Sequence, residues 1–212
     1  MNNKGIIDRI SQKGSDKEKI ADEVIKDQID LAVLLEGMNE KKAAVKFGCE
    51  KVLQKIGIKK PDLLYPYYDT FADLLDSENS FLKWGAIITI SNMASVDKEG
   101  KFEKIFDKYF SPIPGPVLIS AANVIGNSYK FALARREFAD RIAIEILKVE
   151  NAKYKTEECV NVAKGIAVNS FYEFFDLINE KEPVVKFVMD QLKSPRKPVR
   201  KKAEKFLRKY QL

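Results

Sequence analysis

The chain has 212 residues, 45% of them apolar and 32% charged, with ten glycines and eight prolines. That mixture supplies a core and excludes a linker-dominated or low-complexity chain. Histidine is absent, which removes Ser-His-Asp and Cys-His nucleophile systems and every imidazole-dependent zinc site.

The two cysteines, Cys49 and Cys159, are far apart in sequence and form no Cys-x-x-Cys pair, so no zinc or redox motif exists. Residues 1–20 lack the apolar run of a secretory signal, and no later segment approaches the roughly eighteen apolar residues of a membrane span. The expectation is a soluble cytoplasmic protein that uses no membrane, cofactor or metal and has no catalytic residues. Its net charge of +6 is uneven. Nine Lys and Arg residues fall in 193–212 against Glu204 alone, leaving 28 basic and 30 acidic residues in 1–192. Any reading that needs basicity is therefore confined to the last helix and its approach.

Strand signals are almost missing, whereas helical periodicity recurs with polar or Pro-containing breaks every 15 to 20 residues. The pattern predicts helices near 6–11, 17–26, 29–37, 41–56, 63–75 and 80–94. Others follow near 102–109, 116–127, 133–149, 157–177, 183–192 and 198–210. Asn39, Ser80, Thr156 and Ser194 are expected N-caps, and Pro116, Pro183 and Pro198 first-turn prolines.

The second member of each helix pair repeats a pattern. A small residue stands at Cys49, Ala86, Ala121, Ala163 and Ala203, at intervals of 37, 35, 42 and 40. Four residues earlier stand Val45, Leu82, Val117, Cys159 and Val199, on the same helical face. Leu53, Ile90, Ile125 and Leu207 continue the stripe, and Met38, Leu75, Phe110 and Leu192 close the preceding helix. A period near forty with two helices per unit is the mark of an α-helical repeat array, because one unit alone buries too little and stacking supplies the core.

On these residues the chain resembles the HEAT/armadillo family. Leu64-Tyr65-Pro66 through Leu74-Leu75-Asp76 and Leu82-Lys83-x-x-Ala86 resembles the HEAT signature, and Leu192 through Val199-Arg200-x-x-Ala203 is similar. Ile90-Ser91-Asn92-Met93-Ala94-Ser95 resembles the end of an armadillo third helix. The resemblance implies an all-α fold, a right-handed α-α superhelix of about five helical pairs. A helical cap at 1–26 would precede an array at 27–212, with second helices near 41–56, 80–94, 116–127, 157–177 and 198–210.

Six residues after the small position stand Asn92, Asn127 and Asn169 in the central units, with Lys55 and Lys209 in the outer ones. Six steps of about 100° put this position roughly 120° from the reference, on the flank of the buried stripe. Armadillo proteins carry an asparagine there. The resemblance implies an amide ladder along a concave surface, holding the backbone of an extended peptide through paired donors and acceptors. The alternative is local capping of helix backbone. At the position where armadillo grooves carry tryptophan stand Ile88, Asn123 and Gly165.

The second candidate is a basic patch of Arg196, Lys197, Arg200, Lys201, Lys202, Lys205, Arg208 and Lys209, spread over most faces of the last helix. It is either a solvated cap or a site for an acidic protein or nucleic acid, including the damaged DNA bound by HEAT-like glycosylases of alkylated bases. Trp84 and Tyr65, Tyr67 and Tyr68 follow helix-packing spacing and read as packing residues. The function expected is a non-catalytic scaffold binding a protein or extended peptide segment along the second helices, with nucleic-acid binding at the basic end and self-assembly as alternatives.

Overall fold

Periodicity without strand signals becomes helix throughout a computed structural model that describes residues 3–27 and 31–212. In chain order the α-helices are α1 (Asn3–Ser11), α2 (Lys17–Asp27), α3 (Ala32–Gly37), α4 (Ala43–Lys59), α5 (Pro61–Leu64), α6 (Tyr68–Leu74) and α7 (Ser80–Asn92). They continue as α8 (Lys101–Lys104), α9 (Phe106–Phe110), α10 (Leu118–Ala134), α11 (Ala139–Leu147), α12 (Glu157–Phe174), α13 (Glu182–Asp190) and α14 (Lys197–Tyr210). The start of the segment predicted at 29–37 lies outside the described residues. The chain divides into two compact units, Met1–Lys101 and Phe102–Leu212.

In the first unit α4 is the hub, packed by α1, α2 and α3 on one side and by α7 on the other. Charge clips α2 onto it: Glu18 pairs with Lys55 at 2.9 Å and Lys59 at 2.6 Å, and Asp22 pairs with Lys59 at 2.6 Å. In the second unit α10 packs on α12 and α12 on α14, with the shorter first helices behind them. An aromatic core seals the base of α10, where Phe102 stacks on Phe131 with centroids 3.6 Å apart. Phe106, Tyr109, Phe110 and Phe138 close around that pair, all of them buried.

The repeat register is visible in burial. Cys49, Ala86, Ala121, Ala163 and Ala203 are all buried, as are Leu53, Ile90 and Ile125 one turn later. Three predicted stripe members depart from this, Leu207 of α14 being only half-buried. Val117 is 48% exposed because α10 begins only at Leu118, so the residue precedes the helix. Cys159 is half-exposed in the first turn of α12, where its N–H donates to the Thr156 cap at 3.2 Å. Leu192 is 39% exposed, in the turn after α13.

Boundaries moved where the sequence offered no punctuation. The second helices predicted at 41–56, 80–94, 116–127, 157–177 and 198–210 lie at 43–59, 80–92, 118–134, 157–174 and 197–210. Leu133 belongs to α10 and not to the helix after it, since the break comes at Arg135 in extended backbone, with neither Gly nor Pro to announce it. The segment 63–75 is two helices split by a 3-10 turn at Tyr65–Tyr67, where Pro66 lacks an N–H. Asn79, not Ser80, caps α7, accepting from the N–H of Phe81 and Leu82 at 3.1 and 3.3 Å. Asn39 and Ser194 are not caps: α4 follows Lys42 and α14 follows Arg196. Pro116 lies ahead of α10, whereas Pro183 and Pro198 do occupy first turns.

The loop before α10 is tied to the loop before α12. Lys153 N–H donates to Pro114 O at 2.8 Å, and Tyr154 Oη donates to Ile113 O at 2.5 Å. Burial pushes the Tyr154 phenol up to about 12. Gly115 has φ +114°, and a Cβ there would overlap the carbonyl of Lys153. Left-handed backbone plus a backbone clash predicts that Gly115→Ala lowers unfolding free energy by about 2 kcal/mol or more. Gly5→Ala, where the added methyl meets nothing within 4 Å, should change it by less than about 1 kcal/mol. Chemical denaturation of both variants checks the contrast.

Candidate functional site

The second helices α4 and α7 in one unit, and α10, α12 and α14 in the other, each carry a wide face that no first helix covers. On α4 that face is Phe47, Lys51, Gln54 and Ile58, and on α7 it is Phe81, Trp84, Ile88 and Asn92, in each case residues three to four apart. The predicted amides sit on these faces but do not behave alike. Asn92 is half-buried and aims its amide N–H across at Gln54 O of α4, 3.5 Å away. Asn127 donates to Asn123 O one turn back at 2.8 Å and accepts from Lys130 Nζ at 2.8 Å. Asn169 is exposed and makes no bond to protein among the described residues.

Asn169 lines a recess of about 170 Å³ between α10 and α12. Gly126 and Ile166 form its apolar floor, 3.5 Å being the distance from Ile166 Cγ2 to a Cβ built at 126. Tyr129, Asn169, Ser170 and Glu173 supply the polar lining. Small-molecule pockets run to about 300–1,000 Å³, so this recess suits one side chain or one peptide unit rather than a whole substrate. Among the described residues no group of three or more Cys, Asp or Glu is placed to hold a metal.

The outer positions of the predicted ladder are occupied by intramolecular contacts. Lys55 is paired with Glu18, and Lys209 Nζ donates to Tyr172 O at 3.0 Å. The basic patch is sorted rather than diffuse. Arg196 pairs with Glu158 at 3.0 Å, Arg200 Nη1 donates to Ser194 O and Pro195 O at 2.6 and 3.1 Å, and Lys202 Nζ donates to Gly165 O at 3.1 Å. Burial depresses Lys202, with repulsion from Arg196 adding to it. Lys205 and Lys209 lie over the Tyr172 ring at 4.4 and 4.0 Å. That leaves Lys197, Lys201 and Arg208 as an exposed stripe, with Glu204 on the same side.

The aromatic residues are sorted too. Tyr68 is core, and Tyr65 Oη donates to Asp97 at 2.7 Å. Trp84, expected in packing, is half-buried and packs in an aromatic cluster at the surface: its ring meets Phe81 edge-on at 5.2 Å, and Phe81 meets Phe47 at 5.0 Å. Phe81 is 59% exposed. Position 81 stands five residues before Ala86, outside the spacing of four that marks the repeat. The run Phe81 and Trp84, with Phe47 at the matching turn of α4, was the available signal.

Beneath this cluster lies Glu50, a charged residue that sequence reading did not single out. It is only 7% exposed, its carboxyl fits where Gly85 lacks a side chain, and Gln54 Nε2 donates to it. Burial pushes the carboxyl up to about 7, against smaller pulls downward from Gln54 and Lys51.

No protein-family model matches the chain. An uncharacterized protein of Methanocaldococcus jannaschii is 25% identical over 140 residues, 64% of this chain and 67% of that one. Among solved structures, a designed armadillo repeat protein superposes with a TM-score of 0.59 at 15% identity, covering 97% of this chain and 92% of that one. A second designed armadillo repeat protein, in complex with the peptide (KR)4, gives 0.58 at 14% identity, with 97% and 90% coverage. This likeness shows the fold: an all-α helical repeat of the armadillo class. Among the described residues no helix is long and apolar enough to cross a membrane.

The buried Glu50 carboxyl couples folding to pH. In the unfolded chain the carboxyl titrates near 4.5, and in the fold near 7. The folded state therefore holds the extra proton, and the stability this confers is complete below about pH 4.5 and lost as pH rises to 7. At about 1.4 kcal/mol per pH unit the difference is roughly 3 kcal/mol. Glu50→Gln should gain on that order at pH 8 and almost nothing at pH 4, as measured by denaturant titration at the two pH values.

Proposed function

We infer that this protein is a non-catalytic binding scaffold that holds an extended segment of a partner protein on the exposed faces of its second helices. The observation that carries this reading is the recess between α10 and α12, where an exposed, unbonded Asn169 stands over an apolar floor beside Tyr129 and Glu173. A carboxamide donates and accepts at once, so it pairs with a backbone peptide unit irrespective of side chain. The recess beside it takes a neighbouring side chain. Asn92 and Asn127 serve differently in this reading: they hold helix backbone, so the amide ladder contracts to one binding rung with two structural ones. The armadillo fold, and a peptide on one designed protein of that fold, are consistent with such a use.

A second reading attaches to α14. Lys197, Lys201 and Arg208 project outward without an ion pair among the described residues, and such a stripe suits phosphate or an acidic protein tail. The two readings separate by salt. Phosphate binding falls steeply as salt rises, whereas a peptide held by amide bonds and apolar contact changes little.

Selection from a randomised peptide library tests the first reading. Peptides that bind the wild type should lose about tenfold or more in affinity on the Tyr129→Ala/Asn169→Ala double variant, a loss of one or two hydrogen bonds and their packing. Asn127→Ala should leave affinity within about threefold. Peptides that bind all three proteins equally would overturn it. Loss of single-stranded oligonucleotide binding in Lys197→Glu/Lys201→Glu, with a strong salt slope in the wild type, would promote the second.

A further inference from the structure

The first unit carries a surface that the α10–α12 recess does not explain. Phe47 from α4 and Phe81 and Trp84 from α7 form a continuous aromatic shelf, with centroids 5.0 and 5.2 Å apart and Phe81 more than half exposed. Large exposed aromatics next to one another are costly to leave in water, since each ring carries a large apolar area. Helix geometry extends the shelf. Ile88 follows Trp84 by one turn on α7, and Lys51 follows Phe47 by one turn on α4.

Two lysines, Lys17 and Lys51, stand near enough to repel one another. Lys17, at the start of α2, donates to Ile10 O of α1 at 2.8 Å, and its Cε lies 3.4 Å from a Cβ built at Gly48 of α4. Burial depresses Lys17, and repulsion from Lys51 depresses it further. Neither ammonium has an ion-pair partner among the described residues. Lys55 and Lys59, further along α4, are by contrast matched by Glu18 and Asp22. Lys51, one turn after Phe47, therefore keeps its charge unmatched, while the last turns of α4 are neutralised.

We propose that this face of the first unit, Phe47, Phe81 and Trp84 with Lys51 and Lys17 at its edge, binds a partner-protein segment in which an aliphatic or aromatic side chain is followed by carboxylates. The apolar side chain covers the exposed ring of Phe81, and a carboxylate between Lys17 and Lys51 relieves their mutual repulsion. Single-stranded nucleic acid fits less well. Base stacking needs open ring faces along a cationic track. Here the rings stand at 44° and 63° to one another, and the next lysines along α4 are already neutralised. The proposal rests on the scaffold reading and specifies the chemistry of a partner at a separate place from Asn169.

Trp84 is the only tryptophan of the chain, so its emission reports on the shelf directly. The intact chain is titrated with a synthetic peptide carrying a central leucine flanked by aspartates, with a lysine-flanked counterpart, and with oligothymidine. The expected result is a saturable emission change with the aspartate peptide and a response at least about tenfold weaker with the lysine peptide. Phe81→Ala should abolish the change, and Lys51→Glu should reverse the preference between the two peptides. Both substitutions are at exposed positions, and circular dichroism verifies that the variants stay folded. No response to the aspartate peptide, an equal response to both peptides, or a response to oligothymidine alone would overturn the proposal. If library peptides still depend on Asn169 while the shelf stays silent, the specific proposal falls and the scaffold reading stands.

Discussion

The close approach of neighbouring second helices within each unit is the constraint on which the rest depends. Cys49, Ala86, Ala121, Ala163 and Ala203 are all buried, and none carries a side chain large enough to hold helices apart. Gly165 extends the same logic: a Cβ there would lie 2.8 Å from Val199 Cγ2, so α12 and α14 approach more closely than side chains would permit. Close approach brings the side chains of one helix within reach of the carbonyls of the next. Asn92 reaches Gln54, Lys202 reaches Gly165, and Lys209 and Tyr210 both reach Tyr172. Much of what reads in sequence as functional polarity is consumed by this stitching between second helices.

That consumption explains which parts were legible in the sequence. Period and periodicity specify which face of a helix is buried, and burial of the small residue and of Leu53, Ile90 and Ile125 follows directly. The same pattern is silent about the neighbours of an exposed residue. Asn92, Asn127 and Asn169 share one repeat position, yet one bonds across to α4, one bonds back along its own helix and one faces solvent. Equivalent arginines and lysines of α14 divide in the same way, according to whether a carbonyl or carboxylate lies within reach. Helix ends were legible where a cap exists, as at Thr156, and illegible at Arg135, where extended backbone alone stops α10. Glu50 was hidden because its environment is made by Gly85, thirty-five positions away in sequence.

The exposed surfaces left after this stitching differ between the two units. In the first, aromatic rings and unmatched lysines stand above a buried carboxyl. In the second, a small polar recess holds Asn169, Tyr129 and Glu173 over an apolar floor. A compact substrate would call for one deep pocket with convergent acids and bases.

The most direct test of this account is chemical-shift mapping of the isotope-labelled chain against a library-selected peptide. The account predicts perturbations concentrated on second-helix residues, either Phe81, Trp84 and Ile88 of the first unit or Tyr129, Ile166 and Asn169 of the second. Perturbations confined to Ile144, Leu147 and Val184 on the first helices α11 and α13, or to Lys197, Lys201 and Arg208 on α14, would contradict it.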